Sequence, residues 1–140
     1  MKQKALEGAT LKIAQEVAAR VGAIEGVVAV VLGGSLARGA ADEHSDIDLG
    51  LYYHPSGPPS IVALNALAEE IDDRRPRAAA SAFGEWGPWI NGGAWLQVEG
   101  QRVDWLYRDL ERVADAITDC RAGRVSFSYQ AGHPHAFSNS

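Results

Sequence analysis

Residues 27–53, VVAVVLGGSLARGAADEHSDIDLGLYY, decide how the rest of the chain is read. An apolar run from Val27 to Leu32 ends in Gly33-Gly34-Ser35, and a second strand-like run carries Asp46 and Asp48. Side chains two apart on a strand point the same way. Asp46, Asp48 and Gly50 therefore share one face, and Ile47, Leu49 and Leu51 take the other. The apolar face can pack on helices, whereas two neighbouring carboxylates repel and are costly to bury unpaired. A divalent cation resolves that conflict, since Mg²⁺ takes one or two carboxylates together with substrate phosphates. The Gly33-Gly34-Ser35 turn offers what a phosphate needs: close backbone approach, amide donors and the Ser35 hydroxyl.

An apolar strand ending in Gly34-Ser35, ten residues, then Asp46-Ile47-Asp48-Leu49 resembles the signature of the DNA polymerase beta-like nucleotidyltransferase superfamily, which includes minimal and aminoglycoside nucleotidyltransferase-like domains. Asp-x-Asp or Gly-Gly-Ser alone carries little, but the combination at this spacing between two apolar strands is specific.

The 140 residues are enough for one domain, 1–140, with its own core. The alternative is the N-terminal catalytic part of a longer protein. A hydrophobic content of 46% with 22% charged residues is that of an ordinary globular chain. The formal net charge of −5, with lysine only at Lys2, Lys4 and Lys12, argues against a surface that grips nucleic acid. Cys120 is the single cysteine, which rules out an internal disulfide and suits a reducing compartment. No run approaches the length of a membrane span and no signal peptide is evident, so the expected location is the cytoplasm.

Leu6, Ala9, Ile13, Val17 and Val21 recur at helical spacing over about 3–21. The apolar run Val27–Leu32 suits a buried central strand. Arg38 either clamps a triphosphate oxygen, as an arginine near this place does in similar nucleotidyltransferases, or pairs with Asp42 or Glu43. Ser60 reads as the N-cap of a helix with Ile61, Leu64, Leu67 and Ile71 inward, and Asp72-Asp73-Arg74-Arg75 as its solvated end. Ala78–Phe83 is a weak candidate strand. The stretch 83–95, FGEWGPWINGGAW, is either a lid over the core or a platform on which Trp86 or Trp89 stacks a base. AWLQVEGQRVDWLYR, 94–108, reads as a hairpin turning at Glu99-Gly100, with Val103, Trp105 and Tyr107 on one face and Asp104, Leu106 and Arg108 on the other. Asp109 caps a last helix striped by Leu110, Val113, Ile117 and Cys120, and a short strand follows over 124–130.

The resemblance implies a third acid on a strand beside the Asp-x-Asp strand. Asp104 is the best match, with Glu99 and Glu85 as rivals. The expected fold is α/β: a mixed, twisted sheet of about four or five strands, helices mainly on one face and the metal cleft on the other. The resemblance implies catalysis by Asp46, Asp48 and Asp104, which would also hold two Mg²⁺ ions, and nucleotide binding by Gly33, Gly34, Ser35 and Arg38. The implied reaction is transfer of a nucleoside monophosphate, AMP from ATP, to a hydroxyl of a small molecule or protein, releasing pyrophosphate. The alternative is an antitoxin-type minimal nucleotidyltransferase that binds or modifies a helical toxin. A helical partner chain, or a C-terminal helical domain beyond this sequence, would complete the acceptor side.

Overall fold

The computed structural model describes the backbone of residues 2–34 and 46–124, with side chains from residue 8 onward. Ser35, Arg38 and the expected strand over 124–130, except Arg124, lie outside the described residues. The chain runs α1 (Lys2–Gly22), β1 (Ala29–Gly33), β2 (Ile47–Tyr53), α2 (Ile61–Ile71), β3 (Gly93–Val98), β4 (Gln101–Asp109) and α3 (Leu110–Arg121). The strands form a four-stranded mixed sheet in the order β1-β2-β4-β3, an α/β fold. β2 pairs antiparallel with β1 and parallel with β4, which pairs antiparallel with β3.

Period-two patterning in β2 does what it predicts: Ile47, Leu49, Leu51 and Tyr53 are buried while Asp48, Gly50 and Tyr52 are half-exposed. Val103, Trp105 and Tyr107 of β4 and Ala94, Leu96 and Val98 of β3 join the same buried face, against Ala14, Val17 and Val21 of α1 and Leu64, Leu67 and Ala68 of α2. Each fully buried Leu or Ile there contributes roughly 1.5–3 kcal/mol. Tyr53, Phe83 and Tyr107 form a tilted ring cluster with successive centroids 4.7 Å apart. The β3–β4 hairpin turns where expected, with both Glu99 (φ 50°) and Gly100 (φ 78°) left-handed, matching the right-handed strand twist.

Five expectations need correcting. Among the described residues β1 pairs only with β2, so it stands at the sheet edge, half-exposed along its length. On α1 it is Thr10 and Ala14 that face inward with Val17 and Val21, while Ala9 is exposed. Ala78–Phe83 is not a strand: its polar groups bond one at a time to separate elements, Ala80 N–H to Asn65, Ser81 N–H to the Gly93 carbonyl and the Tyr107 hydroxyl to the Ser81 carbonyl. α3 buries only Val113; its Ile117 is exposed and Cys120 half-buried.

The fifth correction concerns the charge run after α2, which is a joint and not a solvated end. The Asp72 side chain is fully buried and accepts from Arg74 N–H at 2.7 Å, Arg74 Nη2 at 2.9 Å and Gln97 N–H at 2.9 Å. Burial alone would raise its pKa, but these donors outweigh it and hold the carboxyl below its usual range. Asp73 accepts from the amides of Glu99 and Gly100, tying the hairpin turn to the end of α2.

Candidate active site

The sheet face opposite the core carries the acids. Asp48 stands in register with Gly33 of β1 on one side and with Asp104 of β4 on the other. Cross-strand partners point to the same face, so the two carboxylates meet at the middle of the sheet. Asp46 lies two residues upstream of Asp48, and its charge reaches both Asp48 and Asp104.

Electrostatics mark this cluster. Burial and then the Asp48 charge push Asp104 up to about 7 from an ordinary 3.8. Burial and then Asp46 also raise Asp48. Their carboxyls are in hydrogen-bonding contact, which holds Asp48 down and pushes Asp104 further up. Asp104 is 5% exposed, and among the described residues its buried Oδ1 has no hydrogen-bond partner. Arg102 lowers the pKa of both acids and lies 3.7 Å from Asp46 Oδ1 through its Nε. Both partners of that pair are well exposed, so it is worth at most about 1 kcal/mol.

Gly34 shows why the turn is glycine. Its φ is +70°, and a Cβ placed there would run into the Asp48 carboxylate. The backbone at the end of β1 is thereby brought against the acid face, and a larger residue there is strained by the positive φ and displaces the Asp48 carboxylate.

Among the expected site residues, the structure brings together Gly33, Gly34, Asp46, Asp48 and Asp104. Ser35 and Arg38 lie outside the described residues. The rivals for the third acid are elsewhere: Glu99 occupies the hairpin turn, and Glu85 accepts from the Ala82 amide at 2.9 Å. Among the described residues, no three His, Cys, Asp or Glu side chains are disposed to hold a metal ion as they stand. Trp86 stacks on Trp95, and Trp89 lies beneath the Arg112 guanidinium at 5.8 Å. An open cavity of about 400 Å³ beside α3 is lined by Trp89, Arg112, Asp115 and Asp119 among others, and none of the three site acids lines it.

Sequence reasoning passed over Arg102 and Trp95. Both signals were present. Arg102 is two residues before Asp104, hence on its face, and a hairpin turning at 99–100 sets Trp95 directly opposite Asp104.

Among the described residues no helix is long and apolar enough to cross a membrane. A search among curated proteins finds no match. The family model for a nucleotidyltransferase domain matches residues 11–84, which span most of α1, the Gly33-Gly34 turn, Asp46, Asp48 and α2. Asp104 falls outside the match and joins the site on geometry. By that match over more than half its length, the chain belongs to the nucleotidyltransferase domain family, transferases of phosphorus-containing groups.

Proposed function

We propose that the chain transfers AMP from ATP to a hydroxyl of a small molecule or a protein side chain and releases pyrophosphate, using Mg²⁺ held by Asp46, Asp48 and Asp104. The observation that carries this reading is the register Gly33–Asp48–Asp104, which sets the glycine end of β1 beside paired carboxylates. The acids suit a divalent cation. Among the described residues three acids, Asp46, Asp48 and Asp104, stand against the single cation Arg102 in this cluster, and one buried Asp104 oxygen has no hydrogen-bond partner; hard cations prefer such oxygens.

Mg²⁺ bound there supplies positive charge to the triphosphate oxygens and to the departing pyrophosphate. The Gly33-Gly34 backbone presents amides to the triphosphate, with Ser35 and Arg38 as further donors. The acceptor oxygen forms a bond to the α-phosphorus as the bond from that phosphorus to the bridging oxygen breaks, and pyrophosphate leaves with the electron pair. Asp104 takes the proton of the acceptor hydroxyl.

The test compares ATP labelled at the α- and the γ-phosphate, incubated with the protein, Mg²⁺ and a cell extract as acceptor source. Label from the α-position alone should enter an acid-stable product with release of pyrophosphate, and Asp48→Asn should abolish it. Incorporation of γ-label instead would mean phosphoryl transfer and overturn the reading. A labelled protein band or a labelled small molecule would identify the acceptor class, including a helical partner chain.

A further inference from the structure

The acid face continues one strand beyond Asp104. Four residues form a single row across the sheet: Gly33 opposite Asp48, Asp48 opposite Asp104, and Asp104 opposite Trp95. Adjacent strands lie roughly 4.8 Å apart. Trp95 is therefore one strand from Asp104, on the side away from Gly33. In phosphoryl transfer the attacking and leaving oxygens lie in line across the phosphorus. With the leaving pyrophosphate at the glycine end of the row, the attacking hydroxyl arrives from the Trp95 end.

Trp95 is built to stay in place. The residue is 47% exposed, while Ala94 and Leu96 on either side are buried. Trp86 stacks on it with ring centroids 4.9 Å apart and planes 11° from parallel. Its carbonyl accepts from Arg74 Nη2 at 3.1 Å, and the same guanidinium nitrogen is anchored on buried Asp72. A large indole held half-open beside carboxylates is a poor packing solution and a good binding surface.

Resting on the nucleotidyl-transfer reading, we infer that Trp95, backed by Trp86, is the specificity-determining residue on the acceptor side: the acceptor lays the flat face of a ring on the indole and carries its hydroxyl at the ring edge, towards Asp104. Aromatic rings and the C–H face of sugar rings share that chemistry. An unbranched alcohol has no such face and is disfavoured.

The experiment follows the four tryptophan indole N–H signals of ¹⁵N-labelled protein by NMR, with Mg²⁺ and α,β-methylene-ATP bound. N-acetyltyrosinamide, methyl β-glucopyranoside and propanol are then titrated in separately. The Trp95 and Trp86 signals should move with a ring probe and not with propanol. Trp95→Ala should weaken that probe roughly threefold to tenfold, the range aromatic stacking spans, and Trp95→Phe should retain most of its affinity. Neither variant should alter affinity for the nucleotide analogue. Which ring probe binds separates an aromatic from a saccharide acceptor. The inference is overturned if both ring probes leave Trp95 unmoved while the analogue is bound. It is equally overturned if the variants weaken the analogue, which makes Trp95 the platform for the nucleotide base. Failure of the analogue to bind wild-type protein with Mg²⁺ is a different result, and removes the nucleotidyl-transfer reading together with this inference.

Discussion

Replacing Asp104 with asparagine should stabilise the metal-free protein at alkaline pH while destroying its activity. The folded chain holds the Asp104 proton up to about pH 7, whereas the unfolded chain releases it near the ordinary 3.8. Between those values the folded state binds more protons, so stability is full below pH 4 and falls as pH rises towards and through 7. Roughly three pH units at about 1.4 kcal/mol each set a ceiling of about 4 kcal/mol. Asparagine keeps the shape, donates an N–H to Asp48 in place of the Asp104 proton, and has no charge to bury. For a chain of this size the variant's Tm should exceed wild type by roughly 10 °C at pH 8 and match it closely at pH 4. Circular-dichroism melts in EDTA at both pH values measure this directly. Mg²⁺ should close the gap by binding the folded wild type. A variant less stable than wild type at pH 8 in EDTA would refute the reasoning, because the buried acid would then be a net contributor to stability.

Three further outcomes follow from single contacts. Gly34→Ala forces a Cβ into the Asp48 carboxylate at φ +70° and should cost about 1–2 kcal/mol of stability. It should also weaken nucleotide binding at least tenfold, as calorimetry would show. Asp72→Ala removes the buried acceptor joining α2 to β3 and should lower urea-unfolding stability by roughly 3 kcal/mol while leaving the sheet register intact. Arg102→Gln removes the cation that lowers both acids, so the Asp104 carboxyl ¹³C titration in EDTA should move above its wild-type midpoint; an unchanged or lower midpoint would contradict the placement of Arg102.

The placement of the acids was legible because it depends on local pattern: strand alternation puts Asp46 and Asp48 on one face, and the Glu99-Gly100 turn sets the register of the hairpin. What misled were features decided by tertiary neighbours. Val27–Leu32 reads as a buried strand by composition, but its place at the sheet edge follows from which strands pair, which no local run encodes. Asp72–Arg75 reads as a solvated helix end because charge runs usually are; Asp72 is buried only because the β3–β4 hairpin, over twenty residues later, returns its Gln97 amide to it. Trp95 went unremarked for a similar reason, since its importance lies in standing opposite Asp104 and not in its own surroundings.

Whether the acid pair binds a nucleotide through Mg²⁺ is decided by calorimetric titration of α,β-methylene-ATP into the protein with and without Mg²⁺, repeated with Asp46→Asn/Asp48→Asn. Saturable binding that requires Mg²⁺ and disappears in the double variant is the expected result. Absence of binding to the folded wild type, or binding that survives both substitutions, would contradict it.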